Sequence, residues 1–282
     1  MQRSLTSKQF LGLISVLLCS LELHAGSKVI GTGGATTFEG SAGGGLVPWA
    51  VINGYASSGQ WSASAFSNHV GVDDFSLHTV GAGFSYGNLL EVSLTKQRFD
   101  LDTIGGDLQQ QVIGVKYHLV GELLYTEMPQ ISIGAQFKKQ QNFALPQAVG
   151  ALDDSGVDWY LAASKVWLDA FAGRNVLLNA TVRATKANQT GLLGFGSQQH
   201  DDYQYMTELS AAILLNPHVA IGTEFRQKPN NLAFADEQHW RDVFAAWFIN
   251  KNFSVVGGYV DLGSIAGLND QQGYYLALEG TW

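Results

Sequence analysis

Gly273-Tyr274-Tyr275-Leu276-Ala277-Leu278-Glu279-Gly280-Thr281-Trp282 closes the chain, and its alternation governs how the rest is read. Counting back by twos puts Trp282, Gly280, Leu278, Leu276 and Tyr274 on one face and Thr281, Glu279, Ala277 and Tyr275 on the other. Side chains of a strand point alternately to opposite faces, so this is a strand with one oily side. Termini usually fray and carry polar residues. In a bacterial outer-membrane barrel, by contrast, the last strand pairs with the first, and aromatic girdles sit at both membrane borders. Trp282 fits such a girdle. The alternative is the final strand of a soluble β-sandwich, which the rest of the chain must exclude.

The opposite end reads as a secretory signal over residues 1–25, leaving 26–282 as the barrel. Arg3 and Lys8 give a basic start, Phe10 to Leu21 is apolar, and Leu23-His24-Ala25 offers a small residue for cleavage. The apolar run is shorter than the roughly 20 residues of a membrane helix. Cys19, the one cysteine, falls inside it behind Leu18, which is too large for a lipoprotein cleavage box. The mature chain then has no disulfide and no cysteine metal site.

Composition narrows the class. Without Arg3, Lys8 and Glu22, the 16 basic and 24 acidic residues become 14 and 23, a net charge of −9 that disfavours nucleic acid as a partner. Charged residues are 14%, well under the roughly 25% of soluble domains. No later segment is apolar enough for a membrane helix. Strands with lipid on one side and water on the other give this average.

Period-two segments of about ten residues, separated by turn residues, follow from Leu46 onward. They predict strands near 46–56, 60–70, 75–86, 88–99, 110–121, 129–140, 156–168, 175–187, 202–215, 217–228, 240–250, 252–263 and 273–282. Gly87-Asn88, Asn216-Pro217 and Asn250-Lys251 leave room only for hairpin turns. The joins 100–109, 141–155, 188–201, 229–239 and 264–272 are longer and polar. Barrels of this kind have short periplasmic turns and long outer loops, so Asp102, Asp153, His200 and Asp236 belong outside. With the C-terminus periplasmic, parity requires one more outward strand before 46–56, and 28–38 is the segment available. The expected fold is all-β, a transmembrane antiparallel up-and-down barrel of about 14 strands. The alternative has 12 strands with an N-terminal plug, in which Gly31, Gly33 and Gly34 weaken 28–38 as a strand and 46–56 is the doubtful wall segment.

The faces can be assigned strand by strand. Leu90, Val92 and Leu94 alternate with Glu91, Ser93 and Thr95; Ile113, Val115 and Tyr117 with Gly114, Lys116 and His118. Ile131, Ile133 and Phe137 oppose Ser132, Gln136 and Lys138, and Val219, Ile221 and Phe225 oppose Glu224, Arg226 and Lys228. A sandwich would also bury an oily set. The near absence of charge from that face over about nine residues per strand, the length that crosses a membrane, favours lipid.

Two resemblances add to this. The last residues are similar to the C-terminal signal read by the outer-membrane assembly machinery, which implies that machinery as a partner. Gly43-Gly44-Gly45-Leu46-Val47-Pro48-Trp49-Ala50, Gln97-Arg98-Phe99-Asp100, Thr185-Lys186-Ala187-Asn188-Gln189, Gly194-Phe195-Gly196, Phe225-Arg226-Gln227-Lys228-Pro229-Asn230-Asn231-Leu232 and Tyr259-Val260-Asp261-Leu262-Gly263 together resemble a proteobacterial family of outer-membrane barrels catalogued as a domain of unknown function. The resemblance implies a location and a fold and supplies no catalytic residue.

Candidate sites follow from parity. Lys96, Arg98, Lys139 and Lys186 fall on the oily face near the outer border, where they could neutralise lipopolysaccharide phosphates or simply snorkel. With Trp282 they form the expected lipid border. Glu91, Lys116, Lys138, Arg183, Glu224, Arg226, Lys228 and Asp242 fall on the lumen side, with Glu208 and Glu279 as further partners. These residues line either a solute-selecting pore or a salt-bridged, plugged interior, and the width of about 14 strands favours the pore. Lys138, Arg183, Arg226 and Lys228 should make a positive arc near the outer mouth. Enzymatic patterns are thin: His200-Asp201-Asp202, Asp153-Asp154 and Phe66-Ser67-Asn68-His69 hold the right residue types without an established spacing. No histidine pair has metal-ligand spacing, no EF-hand pattern supports calcium on the acidic outer loops, and Gly31-Thr32-Gly33-Gly34 lacks the strand–turn–helix setting of a phosphate loop. Asn179-Ala180-Thr181, a glycosylation sequon, sits in a predicted strand. No cofactor is expected. The reading is a porin-like channel for small solutes at the outer membrane; the alternatives are a closed adhesion or structural barrel with acidic loops and, third, a hydrolase. Solute and oligomeric state stay open.

Overall fold

In Leu90-Glu91-Val92-Ser93-Leu94-Thr95 every second side chain is buried and its neighbours face outward. This period of two recurs in twelve strands, so each has one face for the interior and one for the surroundings. The computed structural model describes residues 28–282; the predicted signal segment and Cys19 lie outside them. The strands are β1 Trp61–Val72, β2 Phe75–Tyr86, β3 Leu90–Leu101, β4 Asp107–Val120, β5 Gln130–Gln140, β6 Ser155–Phe171, β7 Arg174–Thr185, β8 Gln204–Asn216, β9 Val219–Arg226, β10 Trp240–Phe248, β11 Phe253–Asp261 and β12 Gln272–Thr281. Each pairs antiparallel with its sequence neighbour, and β12 pairs with β1 to close the barrel. The seam runs from Gly273↔Val72 to Thr281↔Ser64, and Trp282 and Ala63 exchange two backbone hydrogen bonds of 2.8 Å beyond it.

The outward residues form an apolar belt that includes Val80, Phe84, Leu94, Ile113, Phe137, Leu161, Leu178, Ile221, Val243 and Leu278. A continuous apolar surface of this extent is not stable in water; it is the face a barrel turns to lipid. At one end the joins are mostly tight. Ala172 and Gly173 carry positive φ (49° and 70°), as a two-residue hairpin with matching twist requires. At the other end the joins 141–154, 186–203, 227–239 and 262–271 are long, and they carry the helix Ala144–Ala148 and a small ladder of Ala151–Asp153 with Phe195–Ser197. The alternation of join lengths is not strict: 73–74 is short at the long-loop end, and 121–129 is long at the short-turn end.

Twelve strands close the wall, the smaller of the two expected counts. Residues 28–38 and 46–56 are not wall strands but two legs of a plug inside the lumen. The plug rises from the short-turn end, folds back at Phe38-Glu39-Gly40 and returns to Gln60, where β1 begins. Gly40 turns the chain with φ 89°, and a Cβ there would lie 2.0 Å from the Thr95 hydroxyl. A plug with an ascending and a descending leg leaves parity unchanged, which is why strand counting could not separate it from two wall strands. Local chemistry does separate them: nine glycines lie between 28 and 60, and Pro48 has no amide to give a ladder. The backbone groups of the plug bond mainly to wall side chains. Ala50 N donates to Ser164 Oγ (2.8 Å), Ala50 O accepts from Gln130 Nε2 (2.8 Å), and Pro48 O accepts from Thr181 Oγ1 (2.8 Å).

Candidate functional site in the barrel lumen

All eight predicted lumen residues face inward, and each is at most 5% exposed. The interior at their height is therefore closed to water in this conformation. The plug binds this lining at three places.

Nearest the long-loop end, Glu39 meets an arc of five adjacent strands, β5 to β9. Its carboxylate pairs with Lys138, with Arg226 at 2.8 Å and with Arg183 at 3.4 Å. Lys138 also pairs with Asp158 at 2.6 Å, and Arg183 with Glu208 at 2.6 Å. Three cations thus face three carboxylates, one of them supplied by the plug. Phe38, next to Glu39, and Trp240 put their rings 5.3 and 5.5 Å from the Arg226 guanidinium, a favourable place for a cation. The predicted positive arc is present in position, but its charge is offset. Lys228, its fourth member, binds Glu237 and the Ser264 carbonyl, each at 2.8 Å, under the long loops. Those loops fold inward rather than standing clear of the mouth: Leu192, Leu193 and Phe195 are buried, and Thr190 O accepts from Lys138 at 3.1 Å.

Deeper in the lumen, Glu91 and Lys116 stand opposite each other on β3 and β4 and pair at 3.3 Å. Glu91 accepts from the amides of Ala42 (3.0 Å) and Asn53 (2.8 Å), while Lys116 donates to the carbonyls of Ala42 and Val51 (2.9 Å each). Ala42, just past the fold-back, and Val51 and Asn53, on the returning leg, are thereby tied to one ion pair.

The third place is Glu224. Its carboxylate accepts from the amides of Gly45 and Leu46 (2.7 Å each) and from the Trp49 indole (3.2 Å). Successive amides turned toward one anion form a backbone nest. Glycine is required for the approach: a Cβ on Gly44 would lie 2.2 Å from Glu224 Oε1, and one on Gly45 would lie 2.5 Å from the Tyr275 hydroxyl. Asp242 continues the network, accepting from the Glu224 amide at 2.8 Å and the Tyr275 hydroxyl at 2.9 Å.

The predicted border cations Lys96, Arg98, Lys139 and Lys186 lie on the outer surface of the wall, toward the long loops. Arg98 pairs with Asp100 (2.8 Å), Lys139 with Asp154 (3.6 Å) and Lys186 with Asp201 (3.2 Å). Trp282 lies at the short-turn end against Phe253, ring centroids 6.4 Å apart. The structure does not bring the hydrolase-like residues together. Asn68 is buried on the lumen side and donates to Thr36 O, whereas His69 points outward and lies against His78, ring centroids 4.4 Å apart and planes tilted by 35°.

Glu39 and Asp158 escaped the sequence reading. Asp158 has the same parity as Tyr160 and Ser164 on β6, so the alternation that found Arg183 would have found it. Glu39 is the single acidic residue between Glu22 and Asp73, a lone charge in a glycine-rich run, which is a signal for a buried partner.

A closed antiparallel barrel with a lipid belt and a charged interior defines a membrane β-barrel of the outer-membrane type. The chain belongs to the family described as "Protein of unknown function (DUF3034)", which matches residues 32–279 and so spans plug and wall together. A search of curated proteins finds no match. Among solved structures, the KdgM porin is similar over 78% of this chain and 99% of its own, at 10% identity and a TM-score of 0.50. The outer membrane protein Omp33 of Acinetobacter baumannii covers 79% of this chain and 98% of its own (10% identity, TM-score 0.47). The NanC porin covers 77% and 98% (12% identity, TM-score 0.48). The likeness to KdgM is one of fold.

Proposed function

We propose that this protein is a gated, porin-like barrel of the outer membrane, which passes small solutes when residues 28–60 shift within the lumen. The observation that carries the reading is the chemistry between plug and wall. Burying an ion costs several kcal/mol, and apolar residues of similar volume seal an interior as well or better. A permanently closed barrel therefore has no need of Glu91, Lys116, Lys138, Arg183, Glu208, Glu224 and Arg226. In a water-filled lumen the same residues are a solvated lining that biases which solutes enter. The plug satisfies many of them with backbone amides and carbonyls, which water can replace.

The test is conductance in planar bilayers. The whole protein should show a low, intermittent conductance, and a chain lacking 28–57 a steady one. In the open state Arg183 and Arg226 favour anions, so changing both to Gln lowers relative anion permeability, most clearly at low salt, where screening is weakest. An unchanged reversal potential counts against that role. A closed structural or adhesion barrel is the second reading, favoured by the balance of three cations and three carboxylates around Glu39. Reproducible absence of conductance in both proteins would establish it over the first.

Two partners belong to the same proposal. Lys96, Arg98, Lys139 and Lys186, on the outer surface toward the long loops, would meet lipopolysaccharide phosphates there and hold them by charge-assisted hydrogen bonds. The C-terminal strand with Trp282 is offered to the assembly machinery, after export through the signal peptide expected over 1–25.

A further inference from the structure

The lumen is not polar throughout. In the half nearer the short-turn end, the inward positions of β6 to β11 include Val166, Leu177, Ala212, Leu214, Ala220, Phe244, Ala246, Phe248 and Val256, with Asn175 the polar exception at the rim. An aqueous barrel is expected to be polar inside, so this side departs from the pattern set by Glu91 and Lys116 across the lumen. Between these residues and the plug lies a cavity of 140 Å³. Ala220 and Ala246 stand directly opposite each other on β9 and β10, and their small size opens the space. Trp49, Phe244 and Phe248 supply aromatic walls.

From this geometry we infer that the cavity binds a small neutral apolar molecule, about one aromatic ring in size. Three features lead there. A cavity of roughly 150 Å³ lined by aliphatic and aromatic side chains stays dry and accommodates benzene, so the volume fits one ring. The chemistry is mainly apolar: the Trp49 indole N–H is already committed to Ser210 (2.9 Å) and Glu224, and of the polar side chains in the lining Thr32 donates to Val29 O (2.6 Å) and Asn175 accepts from the Asp169 amide (3.1 Å). Among the described residues, none of the buried side-chain polar atoms that lack a partner lines this cavity. Access exists, because Val29 (48% exposed), Leu168 (53%) and Tyr125 (75%) flank it at the short-turn end. Aromatic walls favour an aromatic guest through offset or edge contacts.

The plug forms one side of the cavity through Val29, Ile30, Gly43, Gly44 and Trp49. A guest that binds one plug position better than another shifts the balance between them. The site thus names a solute class for the passage proposed above and rests on that reading for transport. Binding does not depend on it.

The probe is toluene, titrated against the whole protein in lipid nanodiscs. Partition into lipid is linear in concentration, so a saturable component reports the cavity. Ala246→Trp fills the space and should weaken saturable binding at least tenfold, while heat-modifiable mobility on a gel reports that the barrel has folded. If that variant fails to fold, Phe248→Ala enlarges the cavity and should shift preference from toluene toward naphthalene by about tenfold. Absence of a saturable component in the unaltered protein overturns the inference, as does toluene binding that neither variant changes. Conductance separates the two readings. A conducting protein without saturable toluene binding retains the passage and loses this site; saturable binding without conductance retains the site and loses the passage.

Discussion

Arg226 Nη1 donates to Glu39 Oε2 at 2.8 Å across 187 residues of sequence, joining a wall strand to the tip of the plug. Removing one partner of a buried pair leaves the other charge uncompensated and costs about 3–5 kcal/mol. In Glu39→Gln, Lys138, Arg183 and Arg226 would face only Asp158 and Glu208. The expected outcome is a released plug tip, seen as more frequent openings in planar bilayers and faster proteolysis within 30–57. Unchanged conductance and protection would show that the plug is held elsewhere.

Gly44 should tolerate no side chain. With Glu224 Oε1 2.2 Å from an ideal Cβ, Gly44→Val forces the plug off its anion nest, at about 1–3 kcal/mol for overpacking. Hydrogen exchange at the amides of Gly45 and Leu46 should accelerate, with Ser58→Ala, on the exposed return of the plug, as the control that does not.

A covalent tether tests whether the plug must move. Ala50 N lies 2.8 Å from Ser164 Oγ, which brings the two residues close enough to attempt a disulfide, and the only native cysteine, Cys19, precedes the described residues. Ala50→Cys with Ser164→Cys should abolish conductance when oxidised and restore it on reduction. A current indifferent to reductant would separate conduction from movement at this point.

The outer turn offers a pH-dependent contact. Hydrogen bonds from Thr103 and from Gln271 hold the Asp74 carboxyl below its usual range, and Gln271 Nε2 reaches it at 2.7 Å. A depressed carboxylate pKa means that this contribution is fully present above the ordinary value and is lost as pH falls through the lowered one. Cleavage within 262–271 should accelerate on acidification below about pH 4, the ordinary carboxylate range. Asp74→Asn should raise the rate at neutral pH and flatten that response.

Deleting Trp282 removes the two backbone hydrogen bonds to Ala63, the bond its carbonyl accepts from Ser62 Oγ and the ring packed on Phe253, without touching the charged residues of the lumen. The yield of heat-modifiable barrel in the outer membrane should fall, with degraded or soluble periplasmic protein in its place. Normal yield would count against the role given to this end.

The wall was legible because alternation acts residue by residue: Leu94 outward and Thr95 inward needed no tertiary knowledge. The faces of Glu91, Lys116, Arg183 and Glu224 followed from the same rule. The plug was not legible in that way, since its bonds run to wall side chains far away in sequence and impose no period on it. Leu46 to Ile52 is apolar enough for a strand, and only Pro48 and the neighbouring glycines argue otherwise. The apolar cavity was hidden for a related reason. Alanine at 212, 220 and 246 reads as an unremarkable inward residue until the strands around it are known.

The plug also constrains the order in which the molecule can be made. It is joined directly to β1, one side of the seam, and β12, the other side, is the last strand of the chain. Contacts so distant in sequence carry a large closure entropy and form slowly. Gly45 and Leu46 can find Glu224, and Glu39 can find Arg226, only after β9 exists. The seam encircles a segment that precedes every strand of the wall, so interior and circumference must be completed together, and a barrel sealed early around a misplaced plug would have to reopen at β1 and β12 to correct it.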